Sequence, residues 1–296
     1  MGHKEVFLSF SKDGMAFWIR YLISKGNKRT GSFMIAMFDG ETASGMKNDY
    51  NDYFMDLEGE TRIGGNVINI LERTSKGENE NFDLKWSGNE KMTNAISGIA
   101  RFMDLRSRYI LISPNSTFNG YVEYSGKHFS VQDYKGMVGY ISQPDYLKQW
   151  SWMHMSGSNE DPNMWADLLV TDINIGRRNI ALFSGRIDGR FVHANFMPAT
   201  FRGIAGLSGI EGNVTLKGET FNINSKVSRQ KTIKVKYDSV KKYDRYCYNS
   251  EVAYSSIFHR NRSYTSNSSF IEYGTMKDIK GFSEVAVNDM RGTPLE

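Results

Sequence analysis

The chain has 296 residues, 40% of them hydrophobic and 24% charged, a composition typical of a folded globular protein and not of a disordered one. Its longest apolar run, Phe33–Phe38, is six residues, against the roughly 20 that a membrane-spanning helix needs. The single cysteine, Cys247, excludes an internal disulfide and a cysteine-based metal cluster. The first residues enter a strand-like segment without a charged and apolar leader, so we expect a cytoplasmic protein.

Short apolar or alternating segments bounded by turn residues recur along the chain, a pattern typical of β-strands. Aromatic residues make up 13% of the sequence beside 28 glycines, which favours strands joined by tight turns. In chain order the predicted strands are Val6–Phe10, Met15–Ile23, Ser32–Phe38, Asp52–Leu57, Val67–Leu71, Asn81–Trp86, Tyr109–Ser113, Gly120–Tyr124, His128–Asp133, Trp150–Met155, Ala166–Asn174, Asn179–Ile187, Phe191–Phe196, Asn213–Lys217, Thr220–Val227, Thr232–Val240, Ser250–Phe258 and Ser269–Gly274.

The distribution of these segments predicts the domain organisation. No segment of about a dozen residues carries the 3.6-residue apolar period of an amphipathic helix. The predicted strands fall in similar numbers on either side of residue 145. Two antiparallel barrels in tandem, residues 1–145 and 146–296, fit this pattern better than one very large sheet. The sequence therefore predicts an all-β protein.

The segment Gly136–His154 has an unusual density of Tyr, Trp, His and Asp where two barrels would meet. Trp150, Trp152 and His154 share one face if the strand is regular. A cleft between domains is a common place for a ligand site, and His154 would then act as a general base or hydrogen-bond donor. The competing interpretation is an aromatic plug that seals the inter-domain core, with His154 satisfied by a neighbour.

Three short patches resemble the AttH-like and carotenoid 1,2-hydratase (hydroxyneurosporene synthase) group. They are Phe17-Trp18-Ile19-Arg20-Tyr21, then Gly136-Met137-Val138-Gly139-Tyr140 with Trp150-Ser151-Trp152-Met153-His154, and finally Phe270-Ile271-Glu272-Tyr273-Gly274. The resemblance implies two lipocalin-like β-barrels in tandem, related to those of tocopherol cyclases. It also implies a large apolar ligand, often an isoprenoid.

One departure from that group bears on the reaction. Carotenoid hydratases carry a Tyr-His-Asp step, whereas this chain keeps Tyr140 and has Ile141 and Ser142 in the next two places. A serine hydroxyl is too weak an acid to protonate an unactivated alkene. Asp145, three residues on, substitutes only if the loop is rebuilt. Carotenoid hydratase activity is therefore disfavoured, while the fold expectation stands.

Other ionisable residues are candidates for the same site. The five histidines are His3, His128, His154, His193 and His259, and no two have metal-ligand spacing, so we expect neither a metal nor a cofactor. Carboxylates within strand-like aromatic segments are Glu123, Asp167, Asp172, Glu251 and Glu272. An inward Glu272 would be a general acid, and an inward Arg20 beside Trp18 would bind an anionic group or pair with a glutamate. Alternation alone leaves both directions open.

The segment Lys226–Arg245 holds eight basic residues against Asp238 and Asp244. Interleaved tyrosines would suit a nucleic-acid backbone. However, Thr232, Lys234, Lys236 and Asp238 alternate with apolar residues, as in a strand with one solvated and one buried face. We therefore favour a solvated face, and disfavour nucleic acid as a partner.

These observations lead to one preferred function and two alternatives. We expect a protein that binds a large apolar small molecule, isoprenoid- or lipid-like, exchanged at a membrane surface. If the ligand is transformed, we expect metal-free acid–base chemistry (cyclisation, isomerisation or hydration). The proton would come from Asp145, His154 or Glu272, with Trp18, Arg20, Tyr140, Trp150 and Trp152 binding the ligand. The alternatives are a non-catalytic carrier on the same fold and an interaction module using the basic segment. The sequence gives no indication of oligomeric state.

Overall fold

A computed structural model of the chain describes residues 3–25, 29–96, 107–143, 147–175, 178–193, 199–237, 244–252 and 254–288. Within these ranges the chain forms 26 β-strands and one turn of 3₁₀-helix, Glu78–Glu80. The predicted all-β class is thereby confirmed. The described ranges include no helix with the length and apolar character needed to cross a bilayer.

The first of two sheets has 13 strands in the described residues. They are β1 His3–Lys12, β2 Met15–Lys25, β3 Arg29–Phe38, β4 Ala43–Tyr50, β5 Tyr53–Met55, β6 Glu60–Ile63, β7 Asn66–Asn69, β8 Thr74–Lys76, β9 Phe82–Ser87, β10 Thr93–Asn94, β11 Arg108–Tyr124, β12 Lys127–Gln143 and β26 Ala286–Asn288. Their order is β26-β4-β3-β2-β1-β12-β11-β9-β8-β7-β6-β5, and β10 pairs with β11.

The second sheet also has 13 strands in the described residues. They are β13 Gln149–Ser156, β14 Trp165–Ile175, β15 Arg178–Ile187, β16 Arg190–His193, β17 Ala199–Gly206, β18 Gly209–Leu216, β19 Glu219–Lys226, β20 Thr232–Tyr237, β21 Arg245–Val252, β22 Tyr254–His259, β23 Arg262–Ser266, β24 Ser269–Thr275 and β25 Ser283–Glu284. Their order is β23-β22-β19-β18-β17-β15-β14-β13-β24-β21-β20-β25, and β16 pairs with β15.

Two-residue turns set the register of the hairpins. Asp13 and Gly14 both have positive φ, 51° and 80°, and they place Lys12 opposite Met15. Turns of this kind match the twist of the two strands that they join. The turns at Ser125-Gly126, Asp188-Gly189 and Lys217-Gly218 have the same pair of positive φ angles.

Strand β11 differs from the sequence prediction, which places two separate strands here. Arg108–Tyr124 is one strand that passes through Pro114. Its register with β12 shifts between Leu111 and Ser113 and again between Ser113 and Ser116. Such bulges accommodate a proline, which has no N–H to donate to the ladder.

Each sheet curls around its own apolar core, and a third core lies between the sheets. Side chains from β1, β7, β9 and β12 meet in one cluster, which requires the first sheet to close on itself. The second sheet forms a similar cluster. Along β2 the side chains alternate: Phe17, Ile19 and Tyr21 fill the first core, whereas Trp18 and Leu22 pack in the third. The outer faces of the two curled sheets are therefore buried against each other, and we call this contact the inter-sheet face.

Candidate functional site

The inter-sheet face contains most of the residues that the sequence nominated. Trp18 and Arg20 come from β2, Trp150 and Trp152 from β13, and Glu272 from β24. Pairing of β13 with β24 sets Trp152 opposite Glu272 and His154 opposite Phe270. The predicted common face of Trp150, Trp152 and His154 is present, and it is buried.

Arg20 is the centre of a buried polar group that we call the Arg20 cluster. Its guanidinium, which is 4% exposed, donates to the Tyr237 hydroxyl, to Glu272 Oε2 and to Asn249 Oδ1, the last at 3.3 Å. Its Nε lies 3.3 Å from Glu5 Oε1. Arg20 therefore joins β1 and β2 of the first sheet to β20, β21 and β24 of the second.

The Arg20 cluster is completed by Trp150, His3 and Trp18. Trp150 Nε1 donates to Glu272 Oε1 at 2.8 Å, and His3 Nε2 lies 3.1 Å from Glu5 Oε2. The guanidinium carbon is 4.2 Å from the centroid of the Trp18 ring, a cation–π arrangement. Both carboxyl groups therefore face a cation or an N–H donor.

The protonation states in this cluster follow from burial opposed by pairing. Burial alone would raise the pKa of Glu5, but the Arg20 charge and the His3 hydrogen bond outweigh it and hold that pKa below its ordinary value. Burial also opposes the charge of Arg20. The surrounding acidic groups, Glu5 first, nevertheless raise the Arg20 pKa well above its ordinary value. The cluster is thus a network of fixed charges in a water-poor interface.

A second buried group, the Asp167 cluster, lies beside the first. Asp167 Oδ2 accepts from Tyr109 Oη at 2.8 Å, from Trp152 Nε1 at 2.9 Å and from His154 Nδ1 at 2.9 Å. Trp152 also connects the two clusters, because its ring centroid lies 5.6 Å from that of Trp18. Burial, and next the Asp167 charge, raise the pKa of Tyr109 well above its ordinary value. Tyr109 therefore remains a proton donor to Asp167.

Both ring nitrogens of His154 have polar neighbours. Nε2 lies 2.9 Å from the carbonyl oxygen of Pro114 and 2.9 Å from the hydroxyl oxygen of Ser156. Nδ1 lies 2.9 Å from Asp167 Oδ2, which also accepts from Tyr109 and Trp152. The imidazole is thereby fixed between Asp167 and the Pro114 carbonyl. In the described residues no three His, Cys, Asp or Glu side chains converge as metal ligands.

Glu251 is a buried carboxylate on the same face that the sequence-based choice of site residues passed over. It lies two residues beyond Asn249 on β21 and pairs with Phe270 of β24. It is 1% exposed, and neither carboxylate oxygen has a hydrogen-bond partner among the described residues. Burial raises its pKa from 4.5 to about 7, against a smaller opposing effect of the Lys231 charge. The sequence signal for Glu251 was its position within a strand-like segment rich in aromatic residues.

Two nominated residues do not join the site. Tyr140 is buried in the core of the first sheet, because it pairs with Val6 and both side chains point to the concave side. The sequence-based prediction grouped Tyr140 with Trp150 and Trp152 as ligand-binding residues, whereas the structure places Tyr140 on the opposite face of the first sheet. On β12 it is Met137 that faces the second sheet. Asp145 lies outside the described residues.

The basic segment is less exposed than its alternation predicts. Ile233, Val235 and Tyr237 are buried, as expected. Lys234, expected on a solvated face, is also buried and is paired with Asp278 at 2.8 Å and with Glu284. Both partners come from the chain at and just before β25, the strand that pairs with the edge of β20. A continuous basic surface is not formed by this strand.

A polar cleft of about 440 Å³ lies at one end of the second sheet. Its lining residues are Glu160, Asp161, Asp188, Gly189, Arg262, Ser263 and Tyr264. Asp188 accepts from Tyr264 and from Arg262 Nη1 at 3.2 Å, and it lies 3.1 Å from His259 Nδ1. These groups satisfy one another and hold the ends of two hairpins together.

Replacing Tyr109 by phenylalanine tests how far the Asp167 cluster stabilises the fold. The change removes one donor to buried Asp167, so we expect the free energy of unfolding to fall by about 1–3 kcal/mol. Urea denaturation measures it. Tyr254→Phe is the matched control, since Tyr254 is 46% exposed, and its effect should stay within about 0.5 kcal/mol. Equal losses in the two variants would contradict the prediction.

Comparison with known proteins identifies the fold. No protein-family model matches the chain, and no curated protein matches it in sequence. Among solved structures, a candidate AttH protein of Nitrosomonas europaea has a TM-score of 0.61 and 10% identity, over 92% of each chain. Kievitone hydratase from Nectria haematococca has a TM-score of 0.57 and 11% identity, over 92% of this chain and 88% of that one.

A third similar structure, CghA, has a TM-score of 0.59 and 9% identity, over 93% of this chain and 88% of that one. CghA is also similar in a structure with Sch210972, at a TM-score of 0.54. These likenesses span nearly the whole chain, so they include both curled sheets. The chain has the tandem lipocalin-like fold of the AttH-like proteins, as its three sequence patches predicted.

Proposed function

We propose that the chain binds a large, mainly apolar small molecule, isoprenoid- or lipid-like, at the inter-sheet face and transforms it by acid–base chemistry of its own side chains. The observation that supports this proposal most strongly is the burial of two clusters of ionisable side chains among Trp18, Trp150, Trp152 and Phe270. An interface that only joined two sheets would be as stable, or more stable, with apolar residues in place of these charges. Clustered buried ionisable groups favour a functional site.

The geometry gives the nominated residues distinct roles. His154 is the proton donor of the proposal, since its imidazole is fixed between Asp167 and the Pro114 carbonyl oxygen. Glu272 is the proton acceptor, because its carboxyl oxygens face the Arg20 guanidinium and the Trp150 N–H. Tryptophan faces next to these groups stabilise positive charge that develops on a polyene or polycyclic ligand. In acid-catalysed cyclisation, isomerisation or hydration, one proton is added to the substrate and one is lost from the cationic intermediate, and the two residues supply this pair of transfers.

The similar proteins support the proposed class of activity. One is named a hydratase, and another was crystallised with the small molecule Sch210972. Because the identities are near 10%, they support the class of activity and not a substrate. The competing proposal is a non-catalytic carrier on this fold. It is favoured by the complete pairing of Asp167, whose donors all come from the protein.

Intrinsic tryptophan fluorescence tests binding, because Trp150 and Trp152 fill the interface and must move aside for a ligand. The protein is titrated with retinol, farnesol and phosphatidylcholine, and each mixture is then examined for products by mass spectrometry. We expect a saturable change in fluorescence with at least one isoprenoid. No change with any of them would contradict the binding proposal.

Two variants separate the enzyme from the carrier. Glu272→Gln and His154→Gln are compared with His128→Gln, whose side chain is exposed. For an enzyme we expect a product whose formation falls at least about a hundredfold in the first two variants and is unchanged in the third. Saturable binding without any product in the wild type supports the carrier.

A further inference from the structure

The inter-sheet face holds several buried polar side chains whose hydrogen-bonding capacity the two clusters do not use, and four of them lie on neighbouring strands. Among the described residues, Ser9 Oγ, Trp18 Nε1, Asn249 Nδ2 and both carboxylate oxygens of Glu251 have no partner; Trp165 Nε1, in the same core, has none either. Each of the first four side chains is at most 1% exposed, so bulk water does not reach them. Most buried polar groups in native proteins are hydrogen-bonded, so this group of four calls for an external partner.

The strand register gathers these groups around Phe270. Glu251 pairs with Phe270 across β21 and β24, and Asn249 is the next residue on that face of β21. From the first sheet, the Trp18 ring lies 5.5 Å from that of Phe270, between centroids, and Ser9 pairs with Trp18. Unpaired groups of both sheets thus border one aromatic ring.

The chemistry of these unpaired atoms indicates which kind of ligand group they would bind. Arg20 occupies the Asn249 amide oxygen, which leaves an NH₂ donor, and Trp18 offers an N–H donor. Ser9 and a protonated Glu251 each donate and accept. The pKa of about 7 for Glu251 is consistent with its neutral form in this environment. A set rich in neutral donors suits an uncharged oxygen atom and would leave an ammonium group without an ionised partner.

We propose that Ser9, Trp18, Asn249 and Glu251 form a polar subsite around Phe270 that binds a hydroxyl or carbonyl oxygen of the apolar ligand. The proposal rests on the proposed function, since it places one end of the inter-sheet ligand. It adds that the ligand is an oxygenated molecule and not a pure hydrocarbon. It also explains why Glu251 is kept on this face without an ionic partner.

A matched pair of probes tests the subsite. Farnesol and farnesene share a carbon skeleton, and only farnesol carries a hydroxyl group. We expect the wild type to bind farnesol roughly tenfold more tightly, as measured by tryptophan fluorescence and thermal shift. In Glu251→Leu and in Trp18→Phe this preference should fall to about twofold or less, while the affinity for farnesene is retained.

Conservative variants guard against loss of folding. Glu251→Gln keeps a neutral hydrogen-bonding group and should retain the preference for farnesol. Glu123→Leu, at an exposed position, is the control. If Glu251→Leu fails to fold, Ser9→Ala and Trp18→Phe, which each remove one donor, carry the test.

The possible results have different consequences for the subsite and for the proposed inter-sheet binding. Equal affinities of the wild type for farnesol and farnesene would overturn the subsite and leave the proposed inter-sheet binding intact; the four groups would then hold water only. An unchanged preference in every subsite variant would do the same. Failure of the wild type to bind either probe would overturn the subsite, and the binding proposal would fall as well only if retinol and phosphatidylcholine also left the fluorescence unchanged.

Discussion

Replacing Arg20 by methionine is expected to lower the free energy of unfolding by about 3–5 kcal/mol. Methionine fills much of the same volume but leaves Glu5 and Glu272 buried without their shared cation. Removing one partner of a buried ion pair costs more than the pair itself contributes, because the remaining charge stays desolvated. Urea denaturation at neutral pH, followed by circular dichroism, measures the loss.

The pH dependence of this loss in unfolding free energy distinguishes the effect of an unpaired buried charge from the effect of lost packing. In the wild type the pKa of Glu5 is lowered, so its contribution to stability disappears as pH falls through that value. In Arg20→Met the carboxylates oppose folding only while ionised, so the deficit should shrink as pH falls. Arg62→Met is the control, since Arg62 forms an exposed pair with Glu60 and should cost at most about 0.5 kcal/mol. A deficit that is constant with pH would indicate packing alone.

We expect the change in unfolding free energy caused by Glu251→Gln to depend on pH. Above neutral pH this change should be about 3 kcal/mol more favourable to the folded state than it is in acid. Burial raises the pKa of Glu251 from 4.5 to about 7, so the folded state binds a proton that the unfolded state has released. The wild type therefore loses stability as pH rises between those two values and is level above them. The amide of the variant does not titrate.

The measurement is the difference in unfolding free energy between wild type and Glu251→Gln across that pH range. Glu123→Gln, at an exposed carboxylate, should show no such trend. A difference that stays constant with pH would show that Glu251 is ionised in the folded protein, and that a cation reaches it.

Local alternation carried much of the site prediction. On β2 and β13 the period of two correctly grouped Trp18 with Arg20, and Trp150 with Trp152 and His154. The same alternation left open whether Arg20 and Glu272 face each other. The structure answers this because β2 and β24, which are more than two hundred residues apart, meet at the inter-sheet face.

The remaining site residues depended on contacts that no local pattern contains. Glu5, Tyr237 and Asn249 join Arg20 from three different strands, and Asp167 joins His154 only through pairing of β13 with β14. The grouping of Tyr140 with the site failed for a related reason. Adjacent residues of a strand face opposite sides, so a short patch does not say which of its residues faces the partner sheet.

The central claim is that ligand binds between the sheets and not within either curled sheet. Photo-crosslinking with a diazirine derivative of farnesol, followed by peptide mapping, tests it directly. We predict labels on the outer faces of β2, β13, β21 and β24, near Trp18, Trp152 and Phe270. We also predict that an excess of unlabelled farnesol reduces this labelling. Labels confined to the inner core residues, such as Phe118 in the first sheet or Phe221 in the second, would contradict it.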